Sequence, residues 1–68
     1  MNNSASNGIV TFYTVTEVAN KLSIYRKTVI NWIKSGELEG YKFRNTYRIK
    51  SDDLNSFILK SKVGDNNV

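Results

Sequence analysis

Hydrophobic positions in this chain recur first with a helical spacing, then with a strand spacing, then with a helical spacing again. Val15, Val18, Ala19 and Leu22 stand at i, i+3, i+4 and i+7, one stripe of an amphipathic helix. Thr14-Val15-Thr16-Glu17 has the spacing of a capping box, in which the Thr14 hydroxyl accepts from the Glu17 amide and the Glu17 carboxylate from the Thr14 amide. A helix is therefore expected to start at Val15, and Ser23-Ile24 interrupts its stripe. A second helix is expected from Arg26 to Ser35, with Val29, Trp32 and Ile33 as its stripe and Tyr25 one turn earlier. Gly36 follows it, where a left-handed residue ends a helix.

Two short amphipathic helices with a tight connection make a helix-turn-helix pattern. Upstream, Ile9-Val10-Thr11-Phe12-Tyr13 is β-branched and aromatic and suits a short strand. From Leu38 the period drops to two: Tyr41, Phe43, Tyr47 and Ile49 alternate with Lys42, Arg44, Arg48 and Lys50. That reads as a β-hairpin with one aromatic-aliphatic face, serving as core, and one cationic face. The turn falls at Arg44-Asn45-Thr46, and Asn45 is the residue suited to a positive φ. A third helix is expected next, with Ser51 as N-cap, Asp52 and Asp53 at its positive end, Leu54, Phe57 and Ile58 inward, Lys60 and Lys62 near its end and Gly64 beyond. The expected architecture is mainly α with a small β-hairpin, three helices plus a wing over residues 12–62. A flexible arm over 1–11 and a flexible tail over 63–68 flank it.

Composition narrows the picture. Sixty-eight residues make one domain with a thin margin of stability. With no Cys and no His, the chain has no disulfide framework and no Cys/His metal site. No apolar run is long enough to span a bilayer, and Met1 to Gly8 lacks the basic and apolar regions of a signal peptide, so a cytoplasmic location is expected. The net charge of +4 implies an anionic partner. Seven of the ten basic residues lie between Arg26 and Lys50, and no acid occurs between Tyr41 and Ser51. The bulky apolar residues are committed to a core, which argues against a membrane surface.

On a helical wheel, Arg26, Lys27, Ile30, Asn31 and Lys34 cluster opposite Val29, Trp32 and Ile33. Arg pairs with guanine, Asn with adenine, and an exposed aliphatic touches the thymine methyl, so this outer face suits the major groove. A charged outer face is also what any solvated helix shows, and cations on a hairpin also protect its edges. Ile30 amid Arg, Lys and Asn, and the single sign of the hairpin charges, favour the nucleic-acid reading. Trp32 reads as a core or hinge residue packing the second helix against the wing. Glu37 and Glu39 read as a solvated connection, and Asp52 and Asp53 as helix-start residues. No Ser has a His partner and no Gly-rich phosphate loop is present, so neither catalysis nor a cofactor is expected.

The stretch Tyr13-Thr-Val-Thr-Glu-Val-Ala-Asn-Lys-Leu, the stretch Thr28-Val-Ile-Asn-Trp-Ile-Lys-Ser-Gly-Glu-Leu and the segment Tyr47-Arg-Ile-Lys-Ser-Asp-Asp-Leu together resemble the excisionase-type branch of the MerR-like winged helix-turn-helix superfamily. The resemblance spans about Tyr13 to Leu59. It implies duplex DNA as ligand, with Tyr25, Arg26, Lys27, Ile30 and Asn31 at the start and on the outer face of the recognition helix and Lys42, Arg44 and Arg48 on the wing; Thr28, Lys34 and Asn45 complete the candidate DNA-binding residues. Two positions depart from the family pattern. Tyr25 replaces the usual Ser or Thr N-cap, and Ile30 stands where Tyr is common.

The function expected is sequence-specific double-stranded DNA binding of excisionase or small transcription-regulator type, without catalysis. The cations from Arg26 through Lys50 are expected to converge on one surface. With no heptad repeat after the third helix, monomer binding is expected to be weak and strengthened by cooperative self-association on repeated sites, or by an integrase or the transcription machinery. The alternative is an interaction module that docks on a recombinase or polymerase.

Overall fold

A computed structural model describes residues 10–63 of the chain. The elements in order are β1 (Phe12–Thr14), α1 (Val15–Leu22), α2 (Arg26–Ser35), β2 (Tyr41–Phe43), β3 (Thr46–Lys50) and α3 (Ser51–Lys60). Three helices and a small antiparallel sheet form a winged helix-turn-helix domain.

Local chemistry sets most boundaries. The capping box at the start of α1 is complete: the Glu17 amide donates to Thr14 Oγ1 at 3.0 Å, and the Thr14 amide donates to Glu17 Oε1 at 2.8 Å. Ser23 ends α1 in the left-handed region, φ 56°, and the Ile24 amide returns to the Ala19 carbonyl at 2.9 Å. Tyr25 is the N-cap of α2 and makes no side-chain cap bond. Gly36 ends α2 at φ 86°, as its position in the sequence implies.

The core is Val15, Val18 and Ala19 of α1, Val29 of α2, Leu38, Ile49 of β3 and Leu54 of α3. Gly40 lets the chain turn close to α2, since a Cβ there would lie 2.8 Å from Ile33 Cγ2.

β3 is the central strand, with β1 on one side and β2 on the other. Phe12 pairs with Lys50, Tyr13 with Ile49 and Thr14 with Arg48. Across the hairpin, Tyr41 pairs with Arg48, Lys42 with Tyr47 and Phe43 with Thr46. Paired residues share a face. The inner face therefore carries Tyr13, Lys42, Tyr47 and Ile49, and the outer face Phe12, Tyr41, Phe43, Arg48 and Lys50.

Several expectations are corrected. The hairpin has no purely apolar and purely cationic faces, because its loop is two residues long, Arg44-Asn45, and pairs odd with even positions. Tyr41 and Phe43 consequently leave the core; Phe43 is 52 % exposed and packs edge-to-face on Phe12, with ring centroids 5.9 Å apart. The positive φ falls on Arg44, at 62°, and not on Asn45. β1 starts at Phe12 rather than Ile9, which lies outside the described residues, and Val10 and Thr11 precede the strand. The N-cap of α3 is Lys50 and not Ser51, whose amide donates to the Thr11 carbonyl at 2.9 Å. α3 ends at Lys60, where Ser61 Oγ donates to the Phe57 carbonyl at 2.8 Å, so Lys62 lies past the helix. Ile58 stays 42 % exposed instead of facing inward. Trp32, expected against the wing, packs its ring on Phe57 of α3, centroids 4.7 Å apart. The arm expected over 1–11 and the tail over 63–68, with Gly64, lie almost wholly outside the described residues.

Candidate nucleic-acid interface

The helix-turn-helix places one flank of α2 across a cleft from the hairpin loop and the strand that follows it. Burying Val29 turns Lys27, Asn31 and Lys34 outward, and all three are exposed. Arg26 and Ile30 lie on the flank of that outer side and reach a cleft of about 350 Å³. Asn45 and Arg48 line the same cleft from the wing, and Thr16 lines it from the first turn of α1. Two guanidinium-bearing residues far apart in sequence, from different elements, thus meet at one concavity.

Hydrogen bonds hold both arginines. Arg26 Nε donates to Thr16 Oγ1 at 2.9 Å, and Arg48 Nη1 donates to the Tyr47 carbonyl at 2.9 Å. Among the described residues, no carboxylate pairs with Arg26, Lys27, Lys34, Arg44 or Arg48, so their charge is available to an anion.

The remaining expected site residues are more dispersed. Tyr25 precedes α2 and is 82 % exposed. Thr28 is half-buried, and its amide closes the first turn of α2 on the Tyr25 carbonyl at 3.0 Å. Ile30 is not the exposed aliphatic expected from the helical wheel: it is half-buried and packs against the core while bordering the cleft. Arg44 sits in the hairpin loop, exposed. Lys42 and Lys50 stand on opposite faces of the sheet, with Lys42 Nζ 5.8 Å from the Tyr47 ring and Lys50 Nζ 5.8 Å from the Tyr41 ring. The expected convergence of every cation from Arg26 through Lys50 is therefore corrected to a convergence of Arg26 with Arg48. Cross-strand pairing sends Lys42 and Lys50 to opposite sides.

Thr16 is a cleft residue that sequence reasoning missed. Its position within the capping box makes it an ordinary first-turn residue, and only the tertiary pairing with Arg26 gives it a partner. Glu37 is engaged locally, accepting from Ser35 Oγ at 3.0 Å. Among the described residues no cluster of acidic side chains is arranged to hold a metal ion, and no helix is long and apolar enough to cross a membrane.

Comparison with curated proteins and with solved structures returns no significant match. A family model described as a helix-turn-helix domain matches residues 12–62, a family that supports double-stranded DNA as partner. This match takes in the whole constellation from β1 to α3, and the chain belongs to the helix-turn-helix domain family.

Proposed function

We propose that the protein binds double-stranded DNA sequence-specifically and without catalysis, with α2 in the major groove and the wing on the backbone or in the minor groove. The observation that carries this reading is the shared cleft, to which α2 contributes Arg26 and Ile30 and the wing Asn45 and Arg48. Lys27, Asn31 and Lys34 supply the side chains that project furthest outward from α2. A single module of this size buries about 600–1,000 Å² on DNA, which is small for tight binding. Occupation of adjacent repeats, or contact with an integrase or the transcription machinery, raises the affinity in an excisionase or a small regulator. Binding to labelled duplexes across a salt series tests the reading, since log K falls by about 0.9 per phosphate contact per log unit of salt. An affinity insensitive to salt rules it out. Footprinting with a bending assay then separates an excisionase, which organises DNA beside a recombinase, from a regulator that occupies a promoter.

A second reading has its own observation. Leu59 is 72 % and Val63 89 % exposed, beside a groove lined by Leu22, Trp32 and Phe57. This favours docking on a recombinase or polymerase through α3, on the side of α2 away from the cleft. Binding of that kind persists at high salt.

A further inference from the structure

We propose that the cleft between α1, α2 and the wing seats one backbone phosphodiester of the duplex, and that Thr16 is the residue that positions Arg26 for it. The inference rests on the DNA-binding reading above and assigns Arg26 to the backbone instead of to a guanine edge.

Arg26 is the first residue of α2, on the flank nearest α1, while Lys27 and Asn31 occupy the middle of the outer side. Its bond to Thr16 is the only side-chain hydrogen bond Arg26 makes among the described residues. That bond engages Nε and leaves the terminal N–H groups of the guanidinium without an acceptor. On the wing, Arg48 is tied by one Nη to the Tyr47 carbonyl and retains its other donors. A phosphodiester presents two non-bridging oxygens that share one negative charge, and paired guanidiniums satisfy them with charge-assisted hydrogen bonds. Asn45 and Thr46 add neutral polar groups from the wing, and no acidic residue lines the cleft. An arginine held in place before binding loses less freedom on contact, so the Thr16 hydroxyl raises affinity without touching DNA.

The test measures binding of the full chain to a site-bearing duplex and a random duplex, each over a salt series. The variants are Thr16→Val, Thr16→Ser, Arg26→Ala and the double variant Thr16→Val/Arg26→Ala, with thermal unfolding run on each. Thr16→Val is expected to weaken binding roughly three- to tenfold on both duplexes alike, and Thr16→Ser to restore it. Arg26→Ala is expected to reduce the slope of log K against log salt by about 0.9. On the Arg26→Ala background, Thr16→Val is expected to have no further effect. Thr16→Ala stands in if the valine variant unfolds. An undiminished effect of Thr16→Val without Arg26 overturns the positioning role. Loss of discrimination between the duplexes in Arg26→Ala, at unchanged salt slope, overturns the phosphate seat and returns Arg26 to base reading. A wild-type chain that binds neither duplex removes the DNA-binding reading and this inference with it.

Discussion

Tyr41 stands directly opposite Arg48 across the hairpin, so an aromatic ring and a guanidinium share the outer face of the sheet. This register separates the hairpin's bulky apolar residues into two energetic classes. Ile49, fully buried, anchors the inner face, whereas Phe43 is half exposed on the outer one. Ile49→Ala is expected to cost about 2–5 kcal/mol, comparable with the whole stability of so small a domain. Phe43→Ser is expected to cost no more than about 1.5 kcal/mol, the worth of an edge-to-face aromatic contact. Urea unfolding followed by Trp32 fluorescence checks both, since Trp32 lies against Phe57. Equal losses for the two variants contradict the register.

Arg44 offers a case in which stability and binding move in opposite directions. Its φ of 62° lies in the region that disfavours residues with a Cβ. Arg44→Gly is expected to stabilise the fold by about 0.5–1 kcal/mol in thermal unfolding. The same variant is expected to weaken binding to all duplexes alike and to flatten the salt slope by about 1, as loss of a phosphate contact does. Arg44→Ala serves as control, losing the charge while keeping the strained backbone.

Gly40 tests how tightly the segment after α2 packs. A methyl group there meets Ile33, itself half-buried against the core. Gly40→Ala is expected to destabilise by about 1–3 kcal/mol through overpacking, and trimming the neighbour in Gly40→Ala/Ile33→Val is expected to recover part of that loss. Chemical denaturation of both variants gives the answer; an unaffected midpoint in Gly40→Ala shows that the close approach is absent.

Asn31 and Lys27 separate base reading from charge. Under the proposed function, Asn31→Ala loses about 1–3 kcal/mol on the specific site and little on random DNA. Lys27→Ala is expected to weaken both by a similar factor. Competition binding against the two duplexes measures the difference, and equal losses for Asn31→Ala on both remove Asn31 from base recognition.

The parts of the fold that were legible in the sequence are those set by neighbours in the chain. Thr14 and Glu17 satisfy each other's amides within one turn, and Gly36 supplies a backbone conformation that its position demands, so the limits of α1 and α2 followed directly. Register depends on loop length, which is a small difference in sequence and a complete exchange of faces in space. Asn45 drew attention by its tolerance of positive φ, yet the two-residue loop put that conformation on Arg44. The stripe of α2 identified Trp32 as inward-facing, but the partner expected for it was the wing, whereas it meets Phe57 of α3. For the same reason the site was legible only in outline: the chemistry of α2 and the wing was visible, whereas the meeting of Arg26 with Thr16 and Arg48 depends on tertiary packing.

The central position of β3 has a mechanical consequence. That strand is bonded to β1 on one side and to β2 on the other, and β1 passes into α1 without an intervening residue. The wing therefore has no hinge of its own: its root is stitched to the segment that leads into the first helix. Under the proposed function, a duplex that enters between α2 and the wing meets a wing held at its root by β1.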